Sequence, residues 1–400
     1  MAQTGTPISV IDDLGVLRDA LVQGPVCNPL GGIGRGTESA AHEAVQQHGR
    51  LVRELETAGV SIRHLDKLLY SALGFADARD WILERRICER EHDQGRAFDL
   101  MSWMSEQPPE TLTRYLMEGM LNAKLPSGLH HPAYGAIDDG GWFVAPLCDV
   151  MHPRRRFRVI DDGVVLSQPK QQQSSATAIT AATVLNFAPL FDQSRFEFWL
   201  TADGACGSCP PVDGNDLAMP GDGICVGAIT RNTSVQALSL LAASLFRQKT
   251  ATTMFWLDLS GTDCECLDDC FLPLSRECLL VDRKLLDLAN VFVVRANPRG
   301  AVLGIELCKP SFIEELTRCM GSTDLCLMDV NLYQKPVSAA LAALAPIVLS
   351  PGRIIAFEEH EAAFRVLEQH GVEVVSSCPG TAISRRGKGP RGLMTVLHAN

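Results

Sequence analysis

Three short stretches concentrate the side chains that could do chemistry. Val212-Asp213-Gly214-Asn215-Asp216 carries two carboxyls, Cys264-Glu265-Cys266-Leu267-Asp268-Asp269-Cys270 interleaves thiols with acids, and Arg385-Arg386-Gly387-Lys388-Gly389-Pro390-Arg391-Gly392 mixes cations with glycines. Carboxyls can bind a cation or move a proton, and they do the second well only where burial or neighbours raise their pKa. Thiolates attack carbon or hold metals. A glycine-rich basic loop can cradle a carboxylate or phosphate through backbone N–H groups. Each stretch also has a plainer reading. Asp-Gly-Asn is ordinary turn chemistry, cysteines pack as small hydrophobes beneath a solvated acidic loop, and a basic stretch near residue 390 can be a mobile tail.

Two further groups bear on metals and charge. Cys206-Gly-Ser-Cys209 has a spacing compatible with tetrahedral zinc, and it could be joined by Cys264, Cys266 and Cys270. The second group's spacing is irregular, so no metal and no cofactor is expected, and the fourteen cysteines are read as free thiols. His130-His131 and His360 lack partners at ligand spacing and read as surface or core histidines. Pro153-Arg154-Arg155-Arg156 is by default a solvated basic turn; entering a pocket, it would favour an anionic ligand.

The elements that must position these residues follow from periodicity. A helix is predicted over 37–59, with Thr37 as cap, Val45, His48, Val52 and Leu55 at helical spacing, and Gly59 as the stop. Val60 to His64 alternates like a half-buried strand. Leu367-Glu-Gln-His-Gly371-Val-Glu-Val374 repeats this helix, glycine and strand pattern. A third pair is predicted as a helix over Ser234 to Phe246, with Leu238, Leu241, Ala242 and Leu245 on its apolar face, and a strand over Thr253 to Leu257. Recurrence of one unit points to a pseudo-symmetric α/β fold. Trp81, Leu83, Leu100, Met104 and Leu116 mark a helical insertion, and Gln168 to Ser175 a polar surface loop.

Composition sets the outer limits. Of 400 residues, 46% are hydrophobic and 21% charged, enough to bury a sizeable core. A net charge of -11 repels phosphate backbones, so nucleic acid is not an expected partner. The longest apolar run, Ala339 to Leu349, is too short for a membrane span, and the first fifteen residues lack a signal-peptide pattern. The expected location is the cytoplasm, without membrane association.

Taken with the chain order around them, these stretches resemble the arginine deiminase branch of the guanidino-group-modifying, or amidinotransferase, superfamily. The resemblance runs from IDDLGVLRDALVQGP through PLCDVMHPRRRF at 146–157 and VGAITRNTSVQALSLLAASLF at 226–246 to LSPGRIIAFEEH at 349–360. It implies the pentein fold, a five-bladed α/β propeller, with residues 1–67 as its first part, 68–128 as a helical insertion and 129–400 as the remainder. The family's carboxylate pair corresponds to Asp213 and Asp216, and its His-Leu-Asp motif to Cys266-Leu267-Asp268. Its carboxylate-binding arginine is similar to Arg231, and its guanidinium-binding aspartate falls on Arg155, next to Arg154. The nucleophilic cysteine, which follows the position of Arg391, falls on Gly392. With thiol and histidine both replaced, the resemblance implies that the usual covalent mechanism is lost, unless Cys266 or Cys270 serves as a relocated nucleophile. The expected function is a diverged enzyme acting on an arginine-like or other small nitrogenous substrate, with Asp213, Asp216, Asp268 and Cys266 as catalytic candidates. Arg154, Arg155, Arg231, Arg391 and Gly392 are the substrate-binding candidates. The alternative is an inactive paralogue that binds a small ligand or a partner protein. A homodimer is compatible with either.

Overall fold

The computed structural model describes residues 8–26, 38–88, 94–126, 129, 141–147, 150–167, 175–192, 194–200, 209–297, 303–309, 311–322 and 325–400. The expectations placed on Thr37, His130, His131, Cys206 and nearly all of 168–175 lie outside these residues.

Among the described residues, one local arrangement recurs in five of six sheets: an antiparallel strand pair, then a helix, then a third strand parallel to the second. Phe157–Ile160 and Gly163–Leu166 pair antiparallel, and Glu197–Leu200 joins in parallel after the helix Ser175–Phe187. Leu217–Gly221, Ile224–Ile229 and Thr253–Asp258 repeat this around the helix Val235–Gln248. Phe271–Pro273, Cys278–Val281 and Cys326–Asp329 form the next sheet, and Ile347–Ser350, Arg353–Phe357 and Glu373–Cys378 another. The remaining sheet uses strands from distant parts of the chain. Met394–Ala399 lies between Ser9–Val10 and Leu17–Val22, and Ser61–His64 adds in parallel after the helix Glu38–Thr57. A parallel strand needs a crossover, and the helix supplies it while covering the sheet with its apolar face.

The third expected helix forms as read. Ser234 Oγ accepts the Ala237 N–H at 3.2 Å, and Leu238, Leu241, Ala242 and Leu245 are fully buried. The first differs by one position: Val45 is 47% exposed, and Ala44, His48, Leu51, Val52 and Leu55 form the buried face. Spacing alone allowed either neighbour, and the sheet decides which one it covers. Gly59 and Gly371 end their helices at φ 87° and 75°, a left-handed conformation that glycine adopts without a Cβ penalty.

Helices Leu65–Ala72, Ala76–Leu83, Gln94–Ser105 and Pro109–Glu118 form the helical segment. Leu83, Leu100, Met104 and Leu116 are buried in one core with the helix Ser175–Phe187. Burying each such side chain contributes about 1.5–3 kcal/mol. Among the described residues, no helix is long and apolar enough to cross a membrane.

Candidate functional site

Three turns converge on one cavity. In the first, Asp213 both caps a turn and accepts a guanidinium of this chain. Its Oδ1 accepts the Asn215 N–H at 3.0 Å, closing the turn Gly214–Asp216, while Oδ2 accepts Arg155 Nε at 2.9 Å and Nη2 at 2.5 Å. A Cβ on Gly214 would run into the Arg154 carbonyl, so glycine is what lets the arginine turn Pro153–Arg155 approach this closely. Asp216 is fully buried behind the cavity. Its carboxyl accepts the hydroxyls of Thr230 at 2.7 Å and Thr233 at 2.5 Å, and the Leu267 N–H at 3.1 Å. Burial, and next the charge of Asp213, pushes its pKa well above the ordinary carboxylate range.

The second turn, Leu267–Asp269, places Asp268 where Arg154 Nε donates to Oδ2 at 3.2 Å. Next to it, Asp269 accepts the Glu265 N–H at 3.1 Å and pairs with Lys388 Nζ at 3.1 Å. The third turn, Pro390–Leu393, holds Arg391. It is anchored rather than a free tail: the Gly389 N–H donates to Ala343 at 2.8 Å and the Arg391 N–H to Ala345 at 2.9 Å.

Arg391 links the turns through Asp13, a residue without an assigned role in the sequence. Arg391 Nη2 is 3.3 Å from Asp13 Oδ2, and its Nε is 3.3 Å from Asp268 Oδ1. Arg158 bonds the other Asp13 oxygen. The result is a buried row of alternating charge: Arg158, Asp13, Arg391, Asp268, Arg154. Burial alone would raise the Asp13 carboxyl, but Arg158, Arg391 and Arg154 together hold it well below the ordinary range. Burial, with Arg154 next, brings Arg158 down to about 10 and lowers Arg391, so all three guanidiniums stay charged at neutral pH. For Arg154, burial also acts downward, but Asp268 and Asp13 outweigh it and raise its pKa.

The cavity has a volume of about 70 Å³ and is lined by Arg155, Cys266, Asp268, Arg391 and Gly392 from the sequence-based set. On this measure roughly 10–15 Å³ admits one water, so the space suits a small group of a few heavy atoms or a few waters. Asp213, Asp216 and Arg154 stand behind the wall. Arg231 does not line it; its side chain is exposed and pairs with Glu265, which Arg386 also contacts. Cys266 faces the cavity, yet burial and then the carboxyls of Asp269, Asp268, Asp216 and Asp213 push its thiol well above the ordinary range, which disfavours a thiolate. Cys270 is buried and its pKa is raised by a hydrogen bond with Cys264 and by burial. Among the described residues no three His, Cys, Asp or Glu side chains converge as a metal site.

Gly392 leaves room. A Cβ there would meet only His152 Cδ2, at 3.5 Å. Neither His152 nor Asp13 stood out in the sequence. Asp13 carried one signal, an acid pair set between Ile11 and Leu14 in an apolar stretch. His152 carried none, because its neighbour in space lies in a distant turn.

The chain is similar to known proteins over nearly its whole length. The family model described as arginine deiminase matches residues 39–398, and the chain belongs to that family. Curated arginine deiminases from Bacillus cereus strains ATCC 10987 and B4264 are each 20% identical to it, over 96% of this chain and 97% of theirs. Among solved structures, SxtG, an amidinotransferase from Microseira wollei, superposes with a TM-score of 0.58 at 12% identity, covering 99% of this chain and 98% of its own. DDAH from Pseudomonas aeruginosa, solved with citrulline, gives 0.50 at 11% identity over 95% and 99%. The mixed α/β fold is therefore that of the pentein superfamily.

Proposed function

We propose that this member of the arginine deiminase family binds a small molecule in the cavity without carrying out the covalent cysteine–histidine reaction, and that its five repeated sheets are the blades of a closed propeller. The observation that carries the functional reading is the occupancy of the acids. Asp268 bonds Arg154 and Asp213 bonds Arg155, so the chain's own guanidiniums sit where a substrate's would be gripped. Removing one partner of a buried ion pair costs about 3–5 kcal/mol. At about 1.4 kcal/mol per tenfold, an entering guanidinium would lose roughly two to nearly four orders of magnitude in affinity. Gly392 offers no nucleophile, and the raised thiol of Cys266 does not supply one. The citrulline in the Pseudomonas DDAH structure supports a small-molecule ligand.

The test is product mass spectrometry, with ammonia release followed in parallel, on the purified protein incubated with arginine, agmatine and methylated arginines. The expected result is neither citrulline nor any other deiminated product; its formation would overturn the proposal. A second reading, a diverged hydrolase, is favoured by the open space between Gly392 and His152, where a water could take the place of a thiol. Turnover that disappears in His152→Ala would establish it instead.

A further inference from the structure

The charged row at the floor of the cavity does not balance. Arg158, Arg391 and Arg154 share the two carboxylates of Asp13 and Asp268, and all five side chains are buried. Arg391, in the middle, is 7% exposed and lines the cavity. Its Nε and Nη2 lie at ion-pair distance from the two acids, yet neither N–H is aligned on an acceptor, and Arg154 Nη2 also lacks one. An unsatisfied buried donor on a charged group is costly, and a surplus buried cation more so. The other acids nearby do not supply the missing charge. Asp213 is taken by Arg155, Asp269 by Lys388, and Glu265 at the rim by both Arg231 and Arg386. Asp216 accepts only hydroxyls and an amide, and burial pushes it toward its neutral form.

We infer that the cavity takes a small oxyanion, the carboxylate or phosphate group of its ligand, seated against Arg391 beside Gly392. The polarity is thus the reverse of a guanidinium site. The ligand enters acid first and sits against the part of Arg391 that lines the cavity, while Nε and Nη2 stay turned toward Asp268 and Asp13. Such an oxyanion neutralises the surplus charge of the row. The inference rests on the non-covalent reading proposed above.

Calorimetric titration of the purified protein with succinate, inorganic phosphate and agmatine tests it. Succinate, phosphate or both should bind, and which of them binds identifies the group; agmatine should not. Because replacing Arg391 risks unfolding the chain, the control is made at Gly392, where a side chain has room. In Gly392→Asp the chain supplies its own carboxylate, and oxyanion affinity should fall at least tenfold. The near-isosteric Gly392→Asn fills the same space without the charge, so affinity should fall less than in Gly392→Asp. Failure of both oxyanions to bind the wild-type protein, tighter binding of agmatine, or oxyanion binding that survives Gly392→Asp would each overturn the inference. The non-covalent reading fails separately, on turnover of guanidino compounds, whatever the titrations give.

Discussion

Removing a carboxylate from the buried row should cost more than removing a guanidinium. Asp268→Asn leaves the buried Arg158, Arg391 and Arg154 facing the single charge of Asp13. Breaking a buried ion pair from one side costs about 3–5 kcal/mol, a large part of the roughly 5–15 kcal/mol that holds a typical domain folded. Arg154→Met loses one hydrogen bond to a charged group, worth about 1.5–3 kcal/mol. It also brings the row to two guanidiniums against two carboxylates and relieves the repulsion that Arg154 exerts on Arg158 and Arg391. The methionine fills most of the vacated space with apolar atoms, so the net cost should be about 1 kcal/mol or less. Urea unfolding at pH 7, followed by tryptophan fluorescence and far-UV circular dichroism, measures both. The expected difference is at least about 2 kcal/mol, with Asp268→Asn the weaker fold. Equal costs, or a larger cost for Arg154→Met, would refute the claim that positive charge is in surplus.

Other consequences can be checked in the same preparations. Cys266 should resist iodoacetamide at pH 8 in the folded protein and react fully in urea, as read by peptide mass spectrometry; rapid labelling of the native thiol would contradict its raised pKa. His48 is buried, and burial with the help of His64 lowers its pKa from 6.5 to about 4. The unfolded chain therefore binds the proton first, so the stability His48 contributes is complete above pH 6.5 and is lost as pH falls toward 4, by about 3 kcal/mol in total. His48→Gln should flatten that limb of the stability profile. Gly389→Ala should not fold, because its Cβ would run into the Leu344 carbonyl, whereas Gly392→Ala should stay within about 0.5 kcal/mol of the parent by thermal melting. Restoring the family's pair as Gly392→Cys with Cys266→His should leave the protein inactive toward arginine, since Arg154 and Arg155 still hold the acids.

The sequence was most informative where structure is local. Helical spacing, the glycine stops at Gly59 and Gly371, and the strands after them depend on near neighbours, and all are present. The face of the first helix was misjudged by one residue because Ala44 and Val45 both satisfy the period, and only the sheet beneath chooses. The candidate acids were legible as types, but not their partners. Arg154 meets Asp268 across 114 residues, and nothing in either stretch signals the other. Asp13 was missed for the same reason: its meaning depends on Arg158 and Arg391, which the fold alone brings to it. Resemblance of its stretch is what singles out Arg231, and its exposed side chain pairs with Glu265 at the rim.

The strand Met394–Ala399 has a consequence for how the chain is made. It is an interior strand of its sheet, paired on both sides with residues synthesised at the other end of the sequence, and Arg18 bonds Asn400 across 382 positions. On the ribosome, the strands around Ser9 and Leu17 must therefore wait, edges unpaired, until the partner that separates them emerges. Contacts so distant in sequence form slowly and leave pairing surfaces open to other chains meanwhile. Asp13 waits as well, for the arginine that comes just before that strand, so the cavity floor and the last sheet are completed in the same late event. A circular permutant that links the strand Met394–Ala399 to its neighbour Ser9–Val10 and opens the chain in a surface turn elsewhere should fold faster than the natural order, with the same site at its centre.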